Sequence, residues 1–469
     1  MDKIRKKNAS ELFKQCNFYI MCSTLNQVVN YIPLKMILKE KTDGSKLEIF
    51  NITVDSNKKN DKKNESNNHI ESFSSNRRWD ENMESALEML KKGRLASNIK
   101  ISHKGKLFTP CSLGKNIGEY IEKIKRFIKC RQDSKETNDP YTYIWNITGG
   151  QKSLIFAIRK AIEARIVPEE KHIFLYLEGN TNQCAVEYIW KKDNGVESEF
   201  CLLEGKYFDE ELTIKTALQL AGFKINENSC IFKKENGKFC NSKESQKVEV
   251  ADHIYEEFKK NDDFRVKAIK CNKGEANEKE KNQKEFKSRC QELLKTKELK
   301  EAFKNICGKN DNFFGYILEY MALSELIKVL ESDNNLADQF LEIGHSIKPE
   351  GEQDQFCEFD LVLLTKGGQI LIIECKSGHM DSDVSKARIY TTYAAAGVYG
   401  KPILITPLLK EELEKAKKHN LKNENYKYIL KAIGAAQRSQ MEIWALDSIE
   451  EGLRNWMGDI ISKENRRRK

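Results

Sequence analysis

The alternation of strand-like and helix-like segments over roughly the first 190 residues limits the fold more than any other feature of this 469-residue chain. Phe18–Cys22 is a short apolar run, and residues 28–38 can form a helix in which Pro33 allows regular geometry only from about that position onward. Further strands are predicted over residues 47–54, 141–147, 172–177 and 184–190, and further helices over 79–92 and 152–165. Strands separated in this way predict an α/β fold with a parallel sheet and helical crossovers.

A second α/β pattern occupies residues 311–469. It contains predicted helices over 312–330 and 383–396 and predicted strands over 359–364, 370–374 and 402–405. A helical segment over 212–223 leaves the first pattern, and residues 224–310 are rich in Lys, Glu and Asn with weak apolar periodicity. We therefore expect a first domain over 1–200, a charged and partly helical connector over 201–310, and a second domain over 311–469.

The cysteine content and the charge exclude some classes of protein. The thirteen cysteines include no C-x-x-C pair, which argues against a disulfide framework and a zinc ribbon and favours a reducing cytoplasm. No apolar run approaches the roughly 20 residues that span a bilayer, so we expect neither a membrane segment nor a secretory signal. The net charge of +9 is compatible with a polyanionic partner but does not identify one.

Residues 359–376 resemble a hairpin of two apolar strands, with a Lys-Gly-Gly turn at 366–368 that offers glycine for a positive φ. A three-residue loop pairs Asp360 with Glu374, whose Cβ atoms would then lie about 5 Å apart. Lys376 lies two residues past Glu374 and so points to the same face. A two-residue turn would shift the register and separate the two carboxylates.

Two opposed carboxylates repel each other, and a hard cation with oxygen ligands removes that penalty. Mg²⁺ or Mn²⁺ is held in proteins by one or two carboxylates plus water. Such an ion, with Lys376 beside it, can activate a water against a phosphodiester and stabilise the developing charge. The competing interpretation is a surface hairpin whose charged ends lie in water.

Glu319 is a third candidate carboxylate. Lys328 lies nine residues further along the same predicted helix, about half a turn around the helical wheel. If Lys328 marks the wet face, Glu319 lies on the apolar side with Leu323 and Leu326, where a carboxylate needs a partner. Glu325, nearer the edge of that face, competes for the role, and Glu319 reaching water from the helix edge is a further alternative.

Helix-borne Glu319, the E-F-D run that ends at Asp360 and the I-I-E-C-K run that ends at Lys376 together resemble the PD-(D/E)xK nuclease core of restriction endonucleases and Holliday-junction resolvases. The proline of the nominal motif is absent here. By this resemblance the catalytic residues are Glu319, Asp360, Glu374 and Lys376. The implied metal ligands are Asp360, Glu374 and the backbone carbonyl of Cys375, with Glu319 as a further candidate. Lys386 and Tyr390 on the following helix either contact substrate phosphate or belong to a solvated helix face.

Polar loops follow two of the predicted strands in the first domain. The N-I-T-G-G-Q-K run over 146–152 joins a strand to a helix, where small residues and the helix N-terminus favour an anion. The C-S-T-L-N-Q run over 22–27 follows the first strand in a comparable position. Open parallel sheets bind ligands beyond the carboxyl ends of their strands at the switch point. The two loops therefore predict a nucleotide-like ligand, against the alternative of two ordinary strand-to-helix turns. No dinucleotide or Walker motif supports NAD binding or ATP hydrolysis.

The T-G-G-x-K turn, the S-T-x-N-Q loop and the nuclease-like core together resemble the CRISPR-associated Rossmann-fold (CARF) effectors of type III CRISPR systems. The resemblance is to the group with an N-terminal Rossmann-like CARF domain and a C-terminal restriction-endonuclease-like α/β domain, and it covers roughly residues 15–220 and 310–450. It implies a cyclic oligoadenylate that lies across the two CARF domains of a homodimer. The ligand contacts carried over are Ser23, Thr24, Asn26, Gln27, Thr148, Gly149, Gly150, Gln151 and Lys152. The polar insert over 57–68 and the charged stretch over 224–310 depart from that family.

We thus expect a cyclic-oligoadenylate-activated, metal-dependent nuclease of type III CRISPR antiviral defence that cleaves DNA, RNA or both. Its activation would be a population shift, in which the active arrangement binds the ring more tightly than the resting one. Two alternatives stay open: an ungated restriction or repair endonuclease, and a non-catalytic regulator that senses ring nucleotides. The intact Asp360, Glu374 and Lys376 weigh against the second alternative.

Overall fold

The computed structural model of the protein divides the chain into two compact units. The first comprises Met1–Glu210 and Thr216–Gly222, and the second comprises Glu211–Lys215 and Phe223–Lys469. The residues that the structure describes are 5–22, 24, 27–41, 47–53, 82–83, 87–88, 90, 109–133, 141–178, 183–204, 207, 209–226, 229–271, 276–308, 313–350, 358–396, 400, 402–418 and 424–458.

The first unit is built on a sheet of eight strands. In chain order they are β1 (Arg5–Asn8), β2 (Phe18–Cys22), β3 (Glu48–Thr53), β4 (Thr109–Ser112), β5 (Tyr141–Asn146), β6 (Glu170–Glu178), β7 (Gln183–Lys192) and β8 (Gly195–Glu204). Their order across the sheet is β1-β8-β7-β6-β5-β2-β3-β4. Strands β2 to β6 pair in parallel, as predicted, whereas β7 pairs antiparallel with both β6 and β8. The five strands that the sequence predicts here are confirmed to within one or two residues at their ends.

Helices connect the parallel strands of this sheet. They are α1 (Ala9–Gln15), α2 (Val28–Glu40), α3 (Ile117–Asp133) and α4 (Lys152–Arg165), and α4 has the predicted bounds. The predicted helix over 79–92 lies mostly outside the described residues, although 82–83, 87–88 and 90 are helical.

Helix α2 begins at Val28, so the expectation that regular helix starts only near Pro33 is wrong. Proline lacks the N–H that would bond to the carbonyl of the residue four positions earlier, here Val29. The side-chain amide Nδ2 of Asn146, at the end of β5, donates to that carbonyl at 2.8 Å instead. A neighbouring strand thus supplies the missing donor, and the helix continues through the proline.

The chain passes between the two units through α5 (Ile214–Leu220), a seven-residue helix that begins in the second unit and ends in the first. The strands that follow are β9 (Lys224–Ile225), β10 (Cys230–Glu235), β11 (Lys238–Cys240), β12 (Phe340–Ile347), β13 (Pro349–Glu350), β14 (Phe359–Thr365), β15 (Ile370–Cys375), β16 (Pro402–Thr406) and β17 (Glu442–Ala445). Seven of them form one sheet in the order β11-β10-β12-β14-β15-β16-β17, and β9 pairs with β13 in a small second sheet. The large sheet is antiparallel from β11 to β15 and parallel from β15 to β17.

The helices of the second unit surround this sheet. They are α6 (Ser245–Lys260), α7 (Asp262–Lys270), α8 (Ala276–Leu293), α9 (Lys297–Cys307), α10 (Phe313–Ser332), α11 (Asn334–Ala337), α12 (Ser382–Ala396), α13 (Lys410–Lys417), α14 (Lys427–Arg438) and α15 (Ile449–Met457). Two short 3₁₀ turns lie at Glu424–Tyr426 and Leu446–Ser448. Within the described part of the chain, no helix is long and apolar enough to cross a membrane.

The segment expected to be a connector, residues 201–310, is organised differently. Its first residues complete β8 in the first unit, and helices α6 to α9 contribute buried side chains to the same core cluster as α10 and the large sheet. The buried apolar residues of α9 follow helical spacing: Leu299, Ala302, Phe303 and Ile306. Such a stripe is enough to dock a helix on a core even when most of its other residues are charged.

Candidate functional site

The hairpin of β14 and β15 brings two carboxylates together. Leu361 pairs with Ile373, so one step further along the ladder Asp360 lies opposite Glu374. This is the register predicted from a three-residue loop, and Gly368, with a φ of 80°, occupies the loop position that needs a left-handed conformation. The two acidic residues are 6% and 3% exposed, which excludes the interpretation that these strand ends lie in water.

A hydrogen bond and the neighbouring negative charges act on the pKa of Asp360 in opposite directions. The backbone N–H of Cys375 donates to Oδ2 of Asp360 at 2.7 Å. Burial, followed by the negative charges of Glu374 and Glu319, nevertheless raises the pKa of Asp360 well above its usual range. Without a cation, the protonated form of Asp360 is therefore more favourable here than in an exposed aspartate.

Two cations face Glu374. Nζ of Lys376 lies 2.5 Å from Oε1, and Nε of Arg388 on α12 lies 3.1 Å from Oε2. Burial acts to lower the pKa of Lys376, but the charges of Glu374 and Asp360 outweigh it, so the pKa is raised and the ammonium form is favoured. Arg388 also donates from Nη1 to the backbone carbonyl of Glu358 at 2.9 Å.

Arg388 is a site residue that the sequence analysis missed. It lies on the helix for which Lys386 and Tyr390 were the candidates, but those two side chains are turned to solvent. The Lys386 side chain is 63% exposed and pairs with Asp383, and Tyr390 is 74% exposed. The position of Arg388 between them was the available signal, because residues two apart on a helix point to different sides.

The structure brings Glu319, and not Glu325, to the carboxylates. Burial, then the charges of Glu358 and other neighbours, raises the pKa of Glu319 to about 8. Oε2 of Glu319 lies 3.3 Å from Nε2 of His345 on β12, a second residue that sequence reasoning missed. Glu325 instead lies near Lys259 of α6. Burial raises the pKa of Glu325, and the positive charges of Lys259 and Lys328 oppose that rise.

The residues present fit a divalent cation. Both Oε2 of Glu319 and Nε2 of His345 are buried and lack a hydrogen-bond partner among the described residues, although they lie close together. The described residues contain no cluster of three or more His, Cys, Asp or Glu side chains that could by itself hold a metal ion. Mg²⁺ is commonly held by one or two carboxylates with water completing its shell, and Asp360 and Glu374 supply that number.

The second candidate site lies in the first unit, at the switch point of its sheet. Strands β2 and β5 are neighbours in the sheet. The strand that comes after β2 in sequence, β3, lies on one side of this pair, and the strand that comes after β5, β6, lies on the other side. The loop after β2 and the loop after β5 therefore open at the position where parallel sheets bind ligands. Among the predicted ligand contacts, Ser23 and Asn26 lie outside the described residues.

Asn146 organises this edge of the sheet, and the sequence analysis did not single it out. Its Oδ1 accepts from both the backbone N–H and the hydroxyl of Thr148, at 3.1 and 2.7 Å. Its Nδ2 donates to the hydroxyl of Tyr19 and to the carbonyl of Val29, both at 2.8 Å. Thr148 in turn accepts from the backbone N–H of Leu177 through Oγ1. These bonds fix the turn that precedes α4.

The two loops approach each other closely. A Cβ atom added to Gly149 would lie 2.6 Å from Cβ of Thr24, so a glycine is required there. Gln27 is fully buried and its side-chain carbonyl accepts from Nδ2 of Asn30 at 2.8 Å, which makes it a residue that supports the loop from within. Gln151 and Lys152 are exposed at the start of α4, and no side-chain hydrogen bond caps that helix.

No family model and no curated protein matches this sequence. Can2 from Sulfobacillus thermosulfidooxidans, solved in complex with cyclic tetra-adenylate, aligns over 96% of this chain and 99% of its own, with 14% identity and a TM-score of 0.53. Protein VC1899 from Vibrio cholerae aligns over 95% of this chain and 98% of its own, with 11% identity and a TM-score of 0.53. A type III CRISPR defence DNA nuclease activated by cyclic oligoadenylate aligns over 86% of this chain and 47% of its own at 10% identity, and its TM-score of 0.39 is too low to carry an argument.

The two whole-chain likenesses agree with the predicted fold class, an α/β protein, and both units of the chain combine a sheet with helices. At these identities the likeness is one of fold.

Proposed function

We propose that the protein is a metal-dependent nuclease, activated by a cyclic oligoadenylate, that acts in type III CRISPR antiviral defence. The observation that carries the proposal is the pair of buried carboxylates, Asp360 and Glu374, with Lys376 and Arg388 beside them. Buried charges are retained where they bind a cation or perform chemistry, because they otherwise lower stability.

In the proposed nuclease site, Asp360, Glu374 and the backbone carbonyl of Cys375 would hold the cation, and Glu319 is the further candidate ligand. A bound Mg²⁺ or Mn²⁺ would supply a Lewis acid for the phosphodiester and an activated water. Lys376 remains charged beside Glu374 and stabilises the negative charge that develops on the attacked phosphate. Arg388 fixes the orientation of the Glu374 carboxylate through Oε2, which leaves Oε1 facing Lys376.

In the proposed ligand site, the loops after β2 and β5 bind the ring nucleotide, with Ser23, Thr24, Asn26, Gln27, Thr148, Gly149, Gly150, Gln151 and Lys152 as the proposed contact set. Support comes from the place of the described members of this set at the switch point, and from the fold that the chain shares with Can2, which was solved in complex with cyclic tetra-adenylate. Backbone N–H groups at the start of α4 and the exposed ammonium of Lys152 suit a phosphate. Since Gln27 is buried, we assign it the part of positioning the loop. A ring shared across the two-fold axis of a homodimer would bind once per dimer.

Helix α5 offers a route from the ligand loop to the nuclease site. At its last residue, the carbonyl of Leu220 accepts from the backbone N–H of Gln27 at 3.4 Å. At its first residue, the N–H of Ile214 donates to Oε2 of Glu342 on β12 at 2.7 Å. Strand β12 also carries His345, which faces Glu319. We propose that ring binding biases the nuclease through this helix, as a shift between two arrangements.

The proposed function is tested by incubating the protein with labelled single- and double-stranded DNA and RNA, with and without Mn²⁺, and with each cyclic oligoadenylate in turn. We expect cleavage only where metal and one ring nucleotide are both present. Cleavage that needs metal but no ring would favour the ungated restriction or repair endonuclease. Tight ring binding without any cleavage would favour the non-catalytic regulator.

A further inference from the structure

A cavity of about 620 Å³ lies beside Glu319 in the second unit. Helix α10 contributes Tyr316 and Tyr320 to its wall, and β12 contributes His345 and Ser346. The cavity is within the size range of small-ligand sites, roughly 300–1,000 Å³. Tyr316, Tyr320 and Ser346 have no part in the two sites proposed above, whereas His345 contacts Glu319 of the proposed nuclease site.

The cavity and the carboxylate site share a wall. His345, 3% exposed, lines the cavity, and its Nε2 lies 3.3 Å from Oε2 of Glu319. The hydroxyl of Ser346 donates to the carboxylate of Glu358, whose charge in turn acts on Glu319. The cavity is therefore one side chain away from Glu319, whose charge acts in turn on Asp360.

The lining has the chemistry that binds a nucleoside. The ring of Tyr320 packs on that of His345 with centroids 4.3 Å apart, and Tyr316 is half-buried on the same helix. Lys247 and Lys348 also line the cavity, and each lies beside a carboxylate: Nζ of Lys247 is 3.0 Å from Glu244, which lines the cavity too, and Nζ of Lys348 is 3.7 Å from Glu358. Nζ of Lys247 also lies 5.8 Å from the centre of the Tyr320 ring. Aromatic faces with nearby cations bind unpaired bases by stacking and by neutralising phosphate.

A polar group in the wall makes no hydrogen bond to the described residues, although Oε2 of Glu319 lies 3.3 Å from it. The group is Nε2 of His345, which is buried. A buried polar group that makes no hydrogen bond within the protein is expected to meet a ligand or water.

We propose that this cavity is a nucleoside subsite, which takes the base of the nucleotide next to the cleaved phosphodiester. The proposal rests on the nuclease function proposed above. It assigns Tyr316 to stacking on that base and Lys247 to its phosphate.

The test uses a series of oligonucleotides of one sequence in which a single abasic residue is moved through the positions around the cleavage point. With Mn²⁺ and the activating ring nucleotide, we expect loss of one particular flanking base to slow cleavage by roughly tenfold or more, as the loss of a stacked base does. Tyr316→Leu should slow cleavage of the intact strand by a similar factor and should leave the abasic strand unaffected. Tyr316→Phe keeps the ring and should behave as wild type, and Tyr428→Leu changes an exposed tyrosine outside the cavity.

The same strands are measured by equilibrium binding in Ca²⁺, which separates this proposal from that of the nuclease. A base-dependent affinity that Tyr316→Leu abolishes supports the subsite even if no strand is cleaved. Cleavage without base dependence, or a base dependence that survives Tyr316→Leu, overturns the subsite and leaves the nuclease standing. If Tyr316→Leu does not fold, Lys247→Gln replaces it: weaker binding of the strand with a salt slope reduced by about 1 supports the subsite, and an unchanged slope contradicts it.

Discussion

Asp360 on β14 lies directly opposite Glu374 on β15, and the two residues are only 6% and 3% exposed. Burial and the neighbouring negative charges raise the pKa of Asp360, so in the absence of a cation its ionised form is unfavourable in the folded protein. A carboxyl whose folded pKa exceeds its unfolded value of about 3.9 costs stability increasingly as pH rises from that value. The metal-free protein is therefore destabilised at neutral pH by the residue that would hold the metal.

Asp360→Asn should stabilise the metal-free protein, because it removes the buried charge and keeps an acceptor for the N–H of Cys375. We expect the Tm in chelator at pH 7 to rise by several degrees, each 1 kcal/mol being worth about 2–4 °C in a domain of this size. The gain should shrink as the pH approaches 4. Added Mn²⁺ should raise the Tm of the wild type and not that of the variant, since only the wild type retains both carboxylates.

Asp383→Asn is the control for this experiment, because the Asp383 side chain is 95% exposed. It should change neither the Tm nor the Mn²⁺ shift. A lower Tm for Asp360→Asn in chelator, or an equal Mn²⁺ shift in both proteins, would contradict the metal-site assignment.

Lys376→Ala should abolish detectable cleavage while leaving ring binding intact. Loss of one preorganised charge at the reacting phosphate typically lowers kcat by about 10²–10³-fold. Arg388→Ala should lower kcat less, because Lys376 still faces the freed Glu374. The matched control is Lys386→Ala, whose side chain is 63% exposed two residues from Arg388. Single-turnover rates measure all three, and a loss in Lys386→Ala equal to that in Arg388→Ala would remove Arg388 from the site.

Glu319→Gln should lower the cleavage rate, whereas Glu325→Gln should not. Both residues lie on α10 and both have a raised pKa, but the charges that act on Glu319 include Lys376 and Glu374, and those that act on Glu325 are Lys259, Lys328 and their neighbours. The measurement is the rate at saturating Mn²⁺ and activator, with a melting curve for each variant. A slower Glu325→Gln beside a normal Glu319→Gln would reverse the assignment.

The hairpin could be predicted from sequence because its determinants are local. The Lys-Gly-Gly turn fixes the loop, the loop fixes the register, and the register alone places Asp360 opposite Glu374. Arg388 and His345 could not be predicted in the same way. They reach the carboxylates from α12 and β12, and their place depends on how those elements pack on the hairpin.

Glu342→Ala should weaken activation more than it weakens binding of the ring. The Glu342 carboxylate is the acceptor for the first N–H of α5, at 2.7 Å, and the variant leaves that N–H without it. We expect the ratio of activated to basal cleavage to fall several-fold, since coupling energies are typically about 1–3 kcal/mol. Glu342→Gln keeps an acceptor oxygen and should retain the wild-type ratio. Equal ratios in all three proteins would exclude this contact from the activation route.

At the proposed ligand site, the sequence indicated the two loops but not all of the contacts that hold them. The two loops were recognisable because each follows a predicted strand, but the alternation of elements did not give the strand order, which places β2 next to β5. The part played by Asn146 was not recognisable. The side chain of Asn146 donates to the Val29 carbonyl, which has no donor within the helix because of Pro33. Asn146 and Val29 are far apart in sequence, so the sequence alone did not indicate this contact.

Lys152→Ala should weaken binding of the ring nucleotide without affecting the chemistry of cleavage. Loss of a charge-assisted contact costs about 1.5–3 kcal/mol, which corresponds to roughly 10–150-fold in affinity. Lys160→Ala on the same helix is the control, because Lys160 is exposed and pairs with Glu163. Calorimetry on both variants gives the affinity and also tests for one ring per dimer.

The most direct test of a ring-gated nuclease is the initial cleavage rate, at saturating Mn²⁺, as a function of ring-nucleotide concentration. For the wild type we predict a rise from near zero to a plateau. For Lys152→Ala we predict the same plateau at roughly 10–150-fold higher concentration. A wild-type rate that is the same with and without ring nucleotide would contradict the account, as would a Lys152→Ala protein that stays inactive at saturating ring.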